Sequence, residues 1–283
     1  MHFSQSLTEI IKTRCSKRDY LNKNLDSVLI HKIEKLLSSI HSGPLGNTIH
    51  FKLIEKKDAQ AKQKVKLGTY GFISGARYFI AGSIDSTRPY VLEDYGYLLE
   101  QIILHLTDLG LGTCWLGGTF KRKDFAIVLG NNPNEIIPAI TPVGEPQKTK
   151  SIRDNIIRWG AKSNSRKPWN ELFYDESFEK PLTVENCNDF QTPLEMLRLA
   201  PSASNKQPWR IVKSYDSFHF YLLETPGYSN TIKAVKLQQI DMGIAMAHFD
   251  LSCKELKMEG KWQISEPKIE SEKAKYLATW KQI

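Results

Sequence analysis

The chain has 283 residues, of which 41% are hydrophobic, and it carries a formal net charge of +8 at pH 7. It is long enough for one large core or two smaller ones, and no run of about 18 apolar residues predicts a membrane-spanning helix. Its four cysteines are scattered without a Cys-x-x-Cys pair, and its first residues lack the apolar core of a secretory signal; together these features argue against a disulfide framework or a zinc site and favour a cytoplasmic protein.

The first part of the chain alternates between helical and strand patterns. A capping box at 6–9 predicts a short opening helix. Apolar periodicity then predicts helices at 27–40, 95–109 and 123–129, and strands at 49–53, 77–82, 115–116 and 136–143. The helix at 95–109 is apolar nearly all round, which indicates a central buried helix. Residues 148–190 are charged and lack apolar periodicity, so they predict a long connection.

The same pattern returns in the last third of the chain. A helix is predicted at 194–200, strands at 209–213 and 218–223, a strongly apolar helix at 241–258 and a strand at 276–280. At a constant offset of 147 the two long helices and the residues after them share identical residues: Asp94 and Asp241, Gly96 and Gly243, Leu104 and Leu251, Leu109 and Leu256, Trp115 and Trp262. At an offset of 158, Asn47 aligns with Asn205 and Phe51 aligns with Trp209. These matches predict a duplicated unit.

Part of the positive charge is concentrated at 148–167, a segment that contains seven Lys and Arg residues and one Asp. Such a segment suits a nucleic-acid patch, but it also suits a solvated face with one phosphate-binding arginine. No helix-turn-helix, zinc or RNA-binding signature accompanies it. We therefore expect the solvated face and no nucleic-acid partner.

Two segments of the first half carry groups that could hold a ligand. Arg14, Ser16 and Arg18 follow a predicted helix, and two arginines with a hydroxyl suit an anion, although a basic turn gives the same pattern. The glycine-rich segment 111–118 lets backbone approach a flat ligand closely, or it is only a helix end before a tight strand. Cys114 has no His and Asp arrangement around it and is interpreted as a small buried hydrophobe.

Three further segments have a similar double interpretation. The strand at 140–146 ends in a glycine-containing turn, and Arg166 lies in a basic turn at 165–168. Residues 200–210, APSASNKQPWR, predict a helix–loop–strand junction rich in hydrogen-bonding groups. Within it, Trp209 is expected in the core and Gln207 is expected to fix the loop.

Together these five segments resemble the FMN-dependent nitroreductase family. They are similar to its Arg-x-Ser-x-Arg element, its glycine segment, its strand end, its carboxy-terminal arginine and its Pro-Ser-x-x-Asn-x-Gln-Pro-Trp signature. The first four lie in family order between 14 and 168, whereas the signature is displaced to 201–209. The resemblance implies an α+β fold with mixed, mainly antiparallel sheets flanked by helices.

The resemblance also implies the roles of individual residues. Arg14 and Ser16 would bind the ribityl phosphate side of FMN, Arg18 would approach the N1/O2 edge, and Arg166 would close over the phosphate. The other implied FMN contacts are Leu116, Gly117, Gly118, Pro142, Val143, Gly144, Pro201, Ser202, Ala203 and Asn205. Tyr70 and His248 are expected on the substrate side, and neither a metal nor a catalytic side chain is expected.

In the nitroreductase family, each of the two subunits of a dimer completes the FMN site of the other. Here residues 1–178 carry four of the five elements, and residues 179–283 carry the Pro-Ser-x-x-Asn loop. The equivalent loop of the first half, residues 42–47, has lost the serine and the Gln-Pro-Trp. We therefore expect a fused pseudo-dimer with one FMN per chain, monomeric in solution.

The resemblance implies hydride transfer from NAD(P)H through the flavin to a nitroaromatic or quinone acceptor, by ping-pong turnover. No NAD(P)H fingerprint is present in the sequence, so a flavin-binding sensor or storage protein with little turnover is an alternative. A basic nucleic-acid-binding domain is a third. The expected partner is a small-molecule electron acceptor, with no nucleic acid and no membrane.

Overall fold

The structure, a computed structural model, describes residues 2–148, 165–228 and 235–283. Most of the basic segment 148–167 therefore lies outside the described residues. From Leu7 to Gly144 the described residues form five α-helices and six strands: α1 (Leu7–Thr13), α2 (Ser27–Ser39), β1 (Phe51–Glu55), α3 (Lys56–Gln63), β2 (Tyr78–Gly82), β3 (Ile84–Asp85), α4 (Val91–Asp108), β4 (Gly112–Thr113), α5 (Arg122–Leu129), β5 (Glu135–Ile136) and β6 (Ile140–Gly144).

The remaining elements begin within the segment 148–190, which the sequence predicts to be a long connection but which contains a strand at Phe173–Asp175. They are β7 (Phe173–Asp175), α6 (Gln191–Arg198), β8 (Trp209–Ser214), β9 (Ser217–Leu222), α7 (Leu237–Glu255), β10 (Gly260–Gln263) and β11 (Lys275–Gln282). Short 3-10 turns lie at Trp169–Glu171, Glu185–Phe190 and Ala203–Asn205. The α+β class with mainly antiparallel sheets is confirmed.

The two main sheets have the same strand order. The first sheet runs β1-β2-β6-β4, and the second runs β8-β9-β11-β10 with β7 added beyond β8. In both sheets the first two strands of the unit pair with each other, and the last strand lies between the second and the third. All these neighbours are antiparallel, whereas β7 pairs in parallel with β8. The shared order supports the hypothesis of a duplicated unit.

The two long helices, α4 and α7, pack against each other in the centre of the molecule. A methyl group at Gly96 would overlap the carbonyl oxygen of Ile240, and one at Gly243 would overlap the carbonyl oxygen of Glu93. Residues 93 and 240 differ by 147, as do residues 96 and 243, so the contact has approximate twofold symmetry. The predicted offset therefore describes a real spatial relation between the helices.

One hydrophobic core extends across both halves. It joins the α2 stripe of Ile33, Leu36 and Leu37 to residues of the second half, including Trp209 and Phe249. The expected core position of Trp209 is confirmed, since it is fully buried. A smaller cluster around Phe125 and Cys114 lies beneath α5, and the burial of Cys114 agrees with its interpretation as a small hydrophobe.

Candidate functional site

A cavity of about 420 Å³ lies where the two halves meet. The turn after α1 lines it, as do the segment after β4 that contains Trp115 and the segment before β6 that contains Ala139. The turn at Arg166 and the loop at 201–205, which come later in the sequence, also line it. The face of α7 formed by Leu237, Ile240, Asp241 and Ile244 completes the wall, because residues three, four and seven apart share one side of a helix. Its volume falls within the range of about 300–1,000 Å³ that is common for small-molecule sites.

Positively charged side chains are concentrated at this cavity. It is lined by Lys12, Arg14, Arg18 and Arg166 and, among the described residues, by a single carboxyl group, that of Asp241. Burial, and then the nearby charges of Arg14 and Arg198, lower the pKa of Arg166 to about 10. Arg166 thus stays protonated at neutral pH beside the Arg14 guanidinium. Two partly buried guanidinium groups of like charge at one cavity constitute a site that an anion would stabilise.

Arg14 is held from behind by a buried polar network. Its Nε atom lies 3.9 Å from Glu100 Oε1 and has no hydrogen-bond partner among the described residues. Trp115 donates to Glu100 Oε2 at 2.6 Å, so one carboxyl group contacts two residues that line the cavity. Glu100 itself is fully buried on α4. Its side chain therefore connects the helix core to the cavity wall.

His248 completes this network from α7. Its Nδ1 atom lies 2.9 Å from the carbonyl oxygen of Met196, which can only accept, so Nδ1 carries a proton. Its Nε2 atom lies 2.9 Å from Glu100 Oε1. The ring is fully buried behind Glu100 and does not line the cavity.

The loop at 201–207 is held in an unusual backbone conformation. Ser204, Asn205 and Gln207 have φ angles of +49°, +54° and +48°, which cost about 1–3 kcal/mol each for residues other than glycine. Side-chain contacts fix this conformation: Ser202 Oγ accepts from the Gln207 N–H at 2.9 Å, and Gln207 Oε1 accepts from the Lys167 N–H at 2.8 Å. The expected loop-fixing role of Gln207 is thus confirmed. Strain of this kind is concentrated at functional sites.

The strained loop also contacts the arginine turn. Asn205 donates to the Ser165 carbonyl oxygen at 3.0 Å and accepts from Arg166 at 3.4 Å. Arg166 donates a further bond to the Leu199 carbonyl oxygen at 3.0 Å. The arginine turn and the loop, which the sequence placed in different halves, therefore form one side of the cavity.

Among the described residues, Asp241 is the one acidic residue that lines the cavity. Its Oδ1 atom accepts from the Ala203 N–H at 2.9 Å, while Oδ2 has no hydrogen-bond partner among the described residues. Burial raises the pKa of this carboxyl group to about 8, against the opposite effect of the Ala203 N–H. At neutral pH the group is mostly protonated and can donate a hydrogen bond.

A protein-family model described as "Putative TM nitroreductase" matches residues 6–253 of the chain. This match covers most of the sequence, including α4 and all but the last two residues of α7. The chain belongs to this nitroreductase family. The predicted family resemblance is confirmed.

One solved structure agrees with this assignment at the level of the fold, and two others match about half of the chain. A "putative nitroreductase" of Thermotoga maritima is 22% identical and aligns over 100% of this chain and 95% of its own, with a TM-score of 0.62. A nitroreductase family protein of Clostridium novyi NT aligns over 53% of this chain and 91% of its own, at 23% identity and a TM-score of 0.41. A nitroreductase of Desulfitobacterium hafniense with bound FMN covers 52% and 92%, at 19% identity and a TM-score of 0.40. No curated protein matches the chain.

Nine of the fourteen residues that the family resemblance assigned to FMN line the cavity. These nine are Arg14, Ser16, Arg18, Gly117, Arg166, Pro201, Ser202, Ala203 and Asn205. They come from four separate stretches of sequence, and the fold brings them to one place. Their contact with FMN stays a prediction.

The other five do not line this cavity, for physical reasons that the structure makes plain. Pro142, Val143 and Gly144 are buried within β6, between β2 and β4, where their positions are used in sheet pairing. Leu116 is a core residue that bridges to Ile140, and Gly118 is exposed. Ala139, just before β6, lines the cavity instead. The FMN contacts expected of these five residues stay predictions.

Neither residue expected on the substrate side lines the cavity. Tyr70 is 63% exposed in a turn with a φ angle of +46°. His248 is separated from the cavity by Glu100. The sequence interpretation missed Trp115 and the α7 face at Ile240, Asp241 and Ile244, although the Asp94 and Asp241 match pointed to that part of the helix.

A second cavity, of about 310 Å³, lies at the position related to the first by the internal offsets. Pro44, Tyr97 and Trp262 line it where Ser202, Ile244 and Trp115 line the first. Its buried carboxylate, Asp250, is satisfied by protein donors: Tyr97 at 2.5 Å, Lys254 at 2.8 Å and Trp280 at 3.0 Å. No arginine lines this second cavity among the described residues.

No helix within 2–148, 165–228 and 235–283 is both long and apolar enough to cross a membrane. In the same ranges, no cluster of three or more His, Cys, Asp or Glu side chains is arranged to hold a metal ion.

Proposed function

We propose that this protein is an FMN-dependent oxidoreductase of the nitroreductase family, and that the cavity between its halves holds one FMN. The observation that carries the proposal is the pair of partly buried guanidinium groups, Arg14 and Arg166, at one cavity. A phosphate would accept hydrogen bonds from both and would remove their mutual repulsion.

The rest of the cavity fits the remainder of such a cofactor. Trp115, Leu237, Ile240 and Ile244 offer apolar surface to a flat ring, while the 201–205 loop presents backbone and side-chain polar groups. Arg18 supplies a further positive charge that would stabilise an anionic ring. FMN would supply the hydride and electron chemistry itself, as cofactors do.

The protein's own residues would bind and orient the cofactor. Glu100 holds Arg14 and Trp115 in place, and the strained 201–207 loop is fixed before any ligand arrives. Preorganisation of this kind reduces the entropy lost on binding. The positive charge around the cavity would also attract the phosphates of NAD(P)H, which we propose as the electron donor. A nitroaromatic or quinone is the proposed acceptor.

The second cavity supports a stoichiometry of one FMN per chain. It has no arginine among the described residues that line it, and its carboxylate is already satisfied by three protein donors. A bound cofactor there would have no buried cations to neutralise. We therefore propose a single site and a monomer, with the interface of a family dimer enclosed within one chain.

The first experiment is a titration of the purified protein with FMN and with riboflavin, which lacks the phosphate. We expect saturation at one FMN per chain and much weaker binding of riboflavin. Size-exclusion chromatography with light scattering should give the mass of one chain. Two flavins per chain, or equal affinity for FMN and riboflavin, would contradict the proposed site.

A second experiment tests turnover. The protein loaded with FMN is mixed anaerobically with NADH or NADPH, and the visible flavin absorbance is followed. Loss of that absorbance with either donor, and its return on addition of a quinone or nitroaromatic, is the expected result. No loss with either donor would favour a flavin-binding sensor or storage protein. Steep salt-dependent retention on DNA without bound flavin would favour the nucleic-acid alternative.

A further inference from the structure

Asp241 and its counterpart Asp94 occupy equivalent positions on the two central helices but have different hydrogen-bond partners. Asp94 accepts from the Leu45 N–H, the Asn47 N–H and the Asn47 side-chain amide, each at 2.9 Å. Both of its oxygens are therefore satisfied by the loop at 42–47. Asp241 accepts only from Ala203, although it is just 3% exposed.

The difference arises in the loop and not in the helix. Asn205 is the counterpart of Asn47, yet its side chain turns to the Ser165 carbonyl oxygen and its backbone N–H bonds the Ser202 carbonyl oxygen at 2.9 Å. The positive φ angles at Ser204 and Asn205 accompany this redirection, and Asn47 has no such angle. The strained loop thus withdraws two donors from Asp241.

A buried carboxyl oxygen without a partner costs free energy, and such groups in folded proteins are normally satisfied by protein, water or ligand. Asp241 lines the cavity, whereas Asp94 lines neither cavity. We propose that Asp241 contacts the cavity's ligand directly, donating a hydrogen bond from its carboxyl group to a carbonyl or ring nitrogen of a heteroaromatic ring. The choice of FMN as that ligand rests on the proposed function.

The protonation of this carboxyl group makes the proposal testable by pH. Its pKa of about 8 means that the donor is lost as the pH rises past 8, so binding should weaken there. The titratable and charged groups on the elements around it are Glu93 on α4, Lys236 next to α7, Tyr228 beside Ser204, and the cavity arginines Arg14, Arg18 and Arg166. Glu93 needs its own control, since burial raises its pKa to about 7.

The experiment is a fluorescence titration with FMN between pH 7 and pH 9, where the FMN phosphate is already ionised. In the wild-type protein we expect the dissociation constant to rise several-fold from pH 7 to pH 9. In Asp241→Asn the amide always donates while its oxygen still accepts from Ala203, so we expect wild-type affinity at pH 7 and no rise. In Asp241→Ala we expect affinity about tenfold weaker at pH 7, with no further change.

Two control variants separate this role from a structural one. Glu93→Gln should keep the wild-type pH dependence of binding. Asp94→Asn should lower the melting temperature, because its amide would face an N–H donor, yet leave the FMN affinity unchanged. The inference is overturned if Asp241→Asn follows the wild-type pH profile or if Asp241→Ala binds FMN as tightly as wild type. If the wild-type protein binds no FMN, the proposed function falls and this inference falls with it.

Discussion

Single residues in this protein differ chiefly in whether the protein itself satisfies their polar groups. Asp94 and Asp250 are buried carboxylates, each with three protein donors. At the main cavity, Arg14 Nε and Asp241 Oδ2 have no such partner among the described residues. We expect these two groups to contact the ligand. Substitutions of Arg14 and Asp241 should therefore affect ligand affinity more than they affect stability.

Arg166 offers a direct test of the proposed phosphate contact. Arg166→Gln would remove the proposed charge-assisted bond to phosphate, worth about 1.5–3 kcal/mol, so FMN should bind roughly tenfold to 150-fold more weakly. Its riboflavin affinity should stay close to that of the wild type. Arg88→Gln, an equal charge change on the exposed surface, is the control and should leave both affinities unchanged. An equal loss of FMN and riboflavin affinity in Arg166→Gln would argue against a phosphate contact.

Glu93 gives a second prediction at this scale, concerning pH. Burial raises its pKa in the folded protein to about 7 from 4.5, and the Gln239 amide and Lys236 act in the opposite direction. The folded state therefore binds this proton more tightly, so its contribution to stability is complete below about pH 4.5 and is lost as the pH rises to 7. That loss is on the order of 3 kcal/mol.

Glu93→Gln should abolish this part of the pH dependence. Denaturant unfolding should show a more stable variant than wild type at pH 8 and little difference at pH 4.5. Glu34→Gln on the exposed face of α2 is the control and should follow the wild-type profile. Parallel profiles for the wild type and Glu93→Gln would show that this carboxyl group does not control the stability.

Among the elements, the crossing of α4 and α7 determines how the cavity is built. Close approach at Gly96 and Gly243 places the backbone of each helix against the other and aims the α7 face into the cavity. The same helices carry Glu100 and His248, which meet at 2.9 Å behind Arg14. Any increase in the distance between the helices would therefore disturb both the stability and the site.

Gly243→Ala should show this effect. The added methyl group would overlap the Glu93 carbonyl oxygen, and overpacking of this kind costs about 1–3 kcal/mol or more. Gly96→Ala should cost a similar amount, because its contact with Ile240 is equivalent. Thermal or denaturant unfolding measures both changes, with Lys35→Ala on exposed α2 as a helix control. Wild-type stability in either glycine variant would mean that the helices are not in this close contact.

The whole molecule combines two similar sheets with one shared core. Residues of both halves belong to a single hydrophobic cluster, and β7, which lies within residues 1–178, extends the second sheet. A chain of this kind should unfold as one unit even though its sequence suggests two. The two cavities differ, since one is rich in arginine and the other has none among its described lining.

Calorimetry should therefore record one unfolding transition whose calorimetric and van't Hoff enthalpies agree. FMN at about 100 times its dissociation constant should stabilise the folded state by about 2.7 kcal/mol and move that transition as a whole. Two separate transitions, with only one shifted by FMN, would mean that the halves unfold independently.

Much of the fold was predictable because its signals are local. The α2 stripe predicted a helix at 27–40, and the structure has Ser27–Ser39. The short strand β7 was missed because its parallel pairing with β8 depends on distant residues. The capping box was wrong: the Ser6 hydroxyl bonds Thr8 and makes no cap bond.

The site was predictable where the family resemblance gave residue types in order, as for Arg14 and Arg166. It was not predictable where function depends on which atoms remain unsatisfied. Asp94 and Asp241 are the same residue at equivalent positions, and the backbone angles and side-chain contacts of a loop distinguish them. The sequence pointed to the strand at 140–144, whereas Ala139 just before that strand lines the cavity, because a sequence does not show which end of a strand faces a cavity.

The satisfied carboxylate in the second cavity has a consequence for protein engineering and for evolution. To make that cavity resemble the first, Tyr97 must become smaller and arginines must be introduced, but removal of the Tyr97 hydroxyl takes one of three donors from buried Asp250. A substitution that removes the Tyr97 hydroxyl alone therefore lowers stability before any new ligand can be gained. The loss of a second site is thus hard to reverse by that substitution alone, and a designer would have to replace Tyr97, Asp250 and Lys254 together.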